Sequence, residues 1–175
     1  MATFRRVFQE NSMLFITMVT DNRQPLLINN IDLLRQSFKN AKEFFDFDIY
    51  SICVLPDHIH MILIPENINN YPKIISAIKH YFSKNLNVNT NNKSKISKRE
   101  KGVWQRRYWE HTIRSEEDLQ KHIDYIHFNP IKHNLVNEIK NWEYSSFHNF
   151  VKNGFYYENW GRQDVSDELI SFDCE

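Results

Sequence analysis

Apolar positions change their period several times along this chain, and each change marks an element. Leu14-Phe15-Ile16-Thr17-Met18-Val19-Thr20 is dense in strand-favouring residues and runs into Asp21-Asn22-Arg23-Gln24-Pro25, which has the composition of a turn. A first strand is expected there. Leu33, Leu34, Phe38, Ala41 and Phe45 then recur at helical spacing, with Asn30 or Asp32 placed to cap a helix that should pack on the sheet. Phe47 to Val54 alternates as a second strand. Pro56-Asp57 makes a tight turn, and His58 to Ile64 forms a third strand paired with the second as a hairpin. Past His60 this third strand is apolar on both faces, Ile62 and Ile64 on one and Ile59, Met61 and Leu63 on the other, so it should be central and buried.

Ile74, Ile75, Ile78, Tyr81, Phe82 and Leu86 outline a second helix, and the Asn-, Lys- and Ser-rich stretch from Asn85 to Gly102 reads as a loop. Arg107 to Ile113 suits a fourth strand. Ser115-Glu116-Glu117-Asp118 has a capping-box pattern, opening a third helix that should end near Phe128, ahead of Pro130. A short apolar segment at Leu135-Val136 and an aromatic stretch from Trp142 to Phe150 follow. The order strand, helix, strand, strand, helix, strand, helix predicts an α+β fold. It is the ferredoxin-like or RRM-like split βαβ, a central antiparallel sheet with helices on one face and a C-terminal extension. No repeat or linker divides the chain, which is expected to form one domain over residues 1–153 and an acidic tail over 154–175.

Length and cysteine usage narrow the class. A chain of 175 residues can bury a core without disulfides, and Cys53 and Cys174 form no framework, which suits a reducing cytosol. No apolar run approaches a membrane span, so a soluble, cytoplasmic protein is expected. Formal net charge is zero, but its distribution is uneven. From Lys93 to Arg114 eight Lys or Arg face two acids, and this stretch runs into Trp104, Tyr108 and Trp109. Cations interleaved with aromatics are what a single-stranded nucleic acid groove needs, although charge runs are commonly solvated faces. From Glu158 to Glu175 six acids face Arg162 alone.

His58 and His60 stand at positions i and i+2 of the third strand, projecting together with Cα atoms roughly 6–7 Å apart. Two ligands of one metal ion can use that spacing, though His-x-His also arises on strands without metal. The large metallohydrolase barrels that use such pairs need far more chain. On the last helix Tyr125 and Asn129 share a face, with Lys121 and His122 one turn back. A tyrosine in that position is more often an amphipathic core residue.

Four motifs in order change this balance: Leu55-Pro56-Asp57-His58-Ile59-His60, Trp104-Gln105-Arg106-Arg107-Tyr108-Trp109-Glu110-His111, Asp124 through His133, and Trp142-Glu143-Tyr144-Ser145-Ser146. Together they resemble the REP-associated tyrosine transposases, single-tyrosine HUH endonucleases related to the transposases of small insertion sequences. The resemblance covers about Phe4 to Phe150. It implies that His58 and His60 bind Mg²⁺ or Mn²⁺ with Asn129 as a third, polar ligand, and that Tyr125 is the nucleophile. Its implied partner is single-stranded DNA carrying a hairpin, a REP-like palindrome, cut through a 5′-phosphotyrosine link. Arg5, Arg6, Trp104, Arg106, Arg107, Lys121, Lys132 and His133 are the expected DNA contacts, with Trp109 divided between base stacking and core. The base for Tyr125 stays open among His122, His127 and Lys121. Monomer and homodimer both suit the resemblance, as does association with the bacterial nucleoid when bound to DNA. The competing classes are a non-catalytic RRM-like binder of single strands and a small zinc protein. The tail after Trp160 could fold over the basic surface and restrain activity.

Overall fold

A computed structural model describes residues 12–87 and 102–161. Most of the expected loop, together with Arg5, Arg6, Cys174 and the tail beyond Gly161, lies outside the described residues.

Four strands form one sheet: β1 (Leu14–Val19), β2 (Phe47–Val54), β3 (His58–Pro65) and β4 (Trp109–Thr112), in the order β2-β3-β1-β4. All neighbours are antiparallel, and β3 lies between β1 and β2 as the split βαβ requires. The helices are α1 (Ile31–Lys42), α2 (Tyr71–Asn85), α3 (Glu116–Lys132) and the short α4 (Phe147–Lys152).

The alternation along β1 and β3 explains the layering. Leu14, Ile16 and Met18, with Ile59, Met61 and Leu63, join Leu34, Ala41, Ile74, Ile78 and Phe82 in a core beneath α1 and α2. Phe15 and Ile62 point the other way and pack with Ile123, Tyr125 and Ile126 of α3 and with Phe147 and Phe150 of α4. The expectation of helices on one face is therefore corrected: both faces are covered. A single-sided sheet would leave Phe15 and Ile62 in water at about 1.5–3 kcal/mol each, and α3 removes that cost.

α3 also corrects its expected boundary, running through Pro130 to Lys132 instead of stopping near Phe128. Proline removes one helical N–H bond and disfavours helical geometry at Asn129. Here Ile126, Phe128, Asn129 and Pro130 are all buried, and that packing offsets the loss. The chain leaves the helix at Asn134, whose φ of 55° places it in the left-handed region. At the other end Ser115 caps α3, its Oγ accepting from the Asp118 N–H at 3.1 Å.

The Trp142–Ser146 motif lines the free side of β2. Val54 N–H donates to the Tyr144 carbonyl, Ser146 N–H to that of Ile52, and Trp142 Nε1 to that of Val54. Beyond α4 the segment to Gly161 turns back on the second core, where Tyr156 is buried and Trp160 packs. Gly161 has φ +89°, and a Cβ there would lie 2.5 Å from Ile139 Cδ1. Among the described residues no helix is long and apolar enough to cross a membrane.

Candidate active site

The register of the central strands builds the site. His58 pairs with Val19 and His60 with Thr17, so both histidines face α3 beside Phe15. Both are buried, and their ring centroids are 4.8 Å apart. Each ring is oriented through Nδ1. His58 Nδ1 lies 2.7 Å from Asp57 Oδ1, and His60 Nδ1 lies 2.8 Å from Thr17 Oγ1. With Nδ1 engaged in both rings, Nε2 is the atom that would serve as metal ligand, and a carboxylate behind a ligating imidazole raises its basicity.

Asp57 is itself steered. Burial works against its charged form, but the hydrogen bond and charge of His58 and the guanidinium of Arg23, 3.3 Å away, outweigh it. The carboxyl is held below the usual range. Asp57 is thus anionic at neutral pH, as an orienting group must be. Neither Asp57 nor Thr17 was singled out by the sequence reading. Adjacency to the His-x-His pair was the available signal for Asp57, whereas Thr17 is reached only through the β1–β3 register.

α3 brings the expected nucleophile to the same place. Tyr125 is 1% exposed, its ring 5.1 Å from that of His60 and 6.0 Å from that of Phe15. One turn on, Asn129 is fully buried and donates through Nδ2 to the Tyr125 carbonyl at 3.3 Å, while its Oδ1 makes no hydrogen bond among the described residues. A buried amide oxygen in that state costs stability unless something accepts its lone pairs, and a divalent cation does so. The imidazoles of His58 and His60 and the amide of Asn129, with no thiolate beside them, are the groups here that could hold a divalent ion.

The last turn of α3 contributes two more expected residues. Lys132 Nζ lies 3.4 Å from the Tyr125 phenol oxygen and 4.8 Å from its ring centroid, and His133 packs edge-on against His58 at 4.8 Å. His58, His60, Tyr125, Lys132 and His133 therefore form one cluster. Other expected residues lie apart. Arg106 and Arg107 are exposed on the approach to β4, and Lys121 is half-buried about three turns before the end of α3. Trp104 packs edge-on against Phe82 beneath α2 and bridges to Thr20, whereas Trp109 is exposed on the active-site face, edge-on to Phe15.

The two histidines considered as bases are engaged elsewhere. His122 Nδ1 lies 2.8 Å from the Asp118 carbonyl, and burial holds its pKa below the ordinary value. His127 is enclosed with Nε2 at 2.9 Å from Ser146 Oγ and 3.2 Å from Ser51 Oγ, and burial pushes its pKa down to about 3. A cluster absent from the sequence reading also emerges: His111, Asp118 and His122 offer ligand atoms within 4.8 Å of one another. The i, i+4 spacing of Asp118 and His122 was legible, but their meeting with His111 depends on β4.

The fold and the gathering of His58, His60 and Tyr125 fit a transposase class, and comparison with known proteins agrees on the class. The family model described as "Transposase IS200 like" matches residues 9–129. A REP-associated tyrosine transposase of Escherichia coli K12 is 32% identical over 169 residues, covering 95% of this chain and 94% of the relative. A Haemophilus influenzae protein assigned to the same group is 42% identical over 165 residues, covering 92% and 94%. A solved structure of a REP-associated tyrosine transposase bound to a REP hairpin superposes with a TM-score of 0.75 at 31% identity, covering 95% of this chain and 96% of that one. The chain belongs to the REP-associated tyrosine transposases, within the IS200-like family.

Proposed function

We propose that this protein is a metal-dependent endonuclease and strand transferase for single-stranded DNA, acting at hairpin-forming repeats through a covalent 5′-phosphotyrosine intermediate. The observation that carries the reading is the placement of Tyr125 against the His58–His60 pair on a buried sheet face, all within one chain. The hairpin-bound relative supports the choice of substrate.

His58 and His60 through Nε2, with Asn129 through Oδ1, would hold Mg²⁺ or Mn²⁺. When bound, such an ion withdraws charge from the scissile phosphate. Asp57 and Thr17 fix the two imidazoles so that the phosphate is met by a preset geometry. Tyr125 Oη attacks phosphorus, forming the P–Oη bond as the P–O3′ bond breaks. The electron pair leaves on O3′, the phenol proton is given up, and O3′ is released as a free hydroxyl. A phenol of ordinary pKa about 10 is a weak nucleophile at neutral pH. The Lys132 ammonium donates toward Oη, the atom on which negative charge develops as the proton leaves. Because bond energy is retained in the phosphotyrosine, a 3′-hydroxyl can attack it and reseal a strand.

Tyr125 is 1% exposed, so DNA must displace part of its covering to reach the phenol while Lys132 stays beside Oη. Arg106, Arg107 and the exposed Trp109 lie on the approach and suit backbone and base contacts, respectively.

A labelled single strand carrying a candidate hairpin separates this reading from a non-catalytic binder. Cleavage with Mn²⁺ and none with EDTA, at equal DNA occupancy, is expected. Binding that persists with no cleavage under any divalent ion would overturn the enzymatic reading in favour of the binder.

A further inference from the structure

His111, Asp118 and His122 converge from two elements on the active-site side of the sheet, outside the His58–His60 cluster. His111 stands on β4, and Asp118 and His122 stand one turn apart at the start of α3. The Asp118 carboxylate contacts a ring nitrogen of each histidine. Its Oδ2 is 2.8 Å and its Oδ1 3.1 Å from His111 Nε2, and Oδ1 is 3.1 Å from His122 Nδ1, which also lies 2.8 Å from the Asp118 carbonyl and would give up that hydrogen bond to bind an ion. Phe15 closes the inner side, its ring 4.7 Å from His122 and 5.7 Å from His60, so it separates the two clusters. His122 is buried, whereas His111 and Asp118 keep 27% and 21% of their side-chain surface exposed, leaving the outer side open to solvent.

We propose that these three residues form a second divalent-metal site, taking a nitrogen-preferring transition ion of the zinc or cobalt type. Two imidazoles and one carboxylate are a donor set such ions favour, and open positions toward solvent leave room for water. Ligands about 2.0–2.2 Å from one ion lie roughly 3–4 Å apart, and the donor atoms here already gather within 4.8 Å. The two rings are stacked at 4.7 Å and 11°, so His111, the solvent-facing partner, must turn about its Cβ–Cγ bond for both ring planes to meet the ion. Asp118 also accepts the Arg114 N–H at 2.9 Å, which anchors the carboxylate in place before any ion arrives. A bound ion would tie β4, the strand of Trp109, to the first turns of the helix that carries Tyr125. This is a clamp on the nucleophile's helix and not part of the proposed cleavage site.

Without such an ion the three residues still make a sensible helix-start bridge, and stoichiometry distinguishes the two. Bound Co²⁺ per chain is measured by equilibrium dialysis and by its visible d–d absorption, for the wild type and for His111→Gln. The variant should lose one bound Co²⁺ per chain, or weaken that site by more than the roughly 10–100-fold that loss of an outer-shell partner costs. His60→Ala should keep the ion that His111→Gln loses, which makes the outcome independent of the proposed cleavage site. Co²⁺ stoichiometry and affinity unchanged in folded His111→Gln would overturn the proposal. Should His60→Ala fail to fold, the comparison of wild type with His111→Gln still decides it.

Discussion

Tyr156 offers a sharp test of how the C-terminal segment holds the helix that carries Tyr125. Its hydroxyl donates to the Asp124 carboxylate, one residue before Tyr125, and accepts from Gln120 Nε2 at 3.2 Å. Gln120 also donates to Asp124 Oδ1 at 2.7 Å. Burial pushes the Asp124 pKa up, so a partly desolvated carboxylate depends on these two donors. Tyr156→Phe keeps the ring in place among Phe147, Phe150 and Trp160 and removes only the hydroxyl. A hydrogen bond to a charged group contributes about 1.5–3 kcal/mol, and that is the expected loss of unfolding free energy. Urea denaturation of wild type, Tyr156→Phe, Asp124→Asn and the double variant measures it. The two substitutions should couple by about 1 kcal/mol or more. A Tyr156→Phe protein within about 0.5 kcal/mol of wild type, or strictly additive substitutions, would refute this anchoring of the helix by Tyr156.

Three further outcomes are expected. His127 is kept neutral in the folded protein, with a pKa of about 3 against the ordinary 6.5, so below pH 6.5 the unfolded chain binds a proton that the folded chain refuses. Stability should fall by about 2 kcal/mol between pH 7 and pH 5 from this group alone, and His127→Gln should flatten that acid limb in denaturation curves. Lys132→Met should slow single-turnover adduct formation by about 10–1000-fold with a smaller change in DNA affinity, read by pre-steady-state cleavage and by binding; the reverse split would make Lys132 a DNA contact only. Phe15→Ala removes a fully buried ring that touches His60, His122 and Tyr125, and a loss of about 3–5 kcal/mol is expected in thermal or urea unfolding.

Much of this was legible in the chain. The period of β3 announced a buried central strand, and its two-sided apolarity already contained the second helical layer that a one-sided ferredoxin-like picture misses. Pro130 misled because local backbone preference is outweighed by the burial of Ile126, Phe128 and Asn129 around it. The positions of His58 and His60 on one strand face and of Tyr125 on a helix followed from strand period and helical spacing, whereas the roles expected of them rested on the resemblance of four ordered motifs to the family. Thr17, and the meeting of His111 with Asp118 and His122, were not readable, since they depend on the pairing of β1 with β3 and β4. Lys132 was readable as a cation near DNA, but its approach to the Tyr125 oxygen depends on α3 continuing past Pro130.

The central claim is that Tyr125 becomes covalently joined to DNA, and it is tested by mapping the attachment. Wild-type protein incubated with a hairpin-bearing single strand and Mn²⁺ is digested, and the nucleotide-linked peptide is sequenced by mass spectrometry. The nucleotide should sit on Tyr125 through its 5′-phosphate, with no adduct in Tyr125→Phe and none in the presence of EDTA. A nucleotide on another residue, or an adduct that survives Tyr125→Phe, would contradict the account.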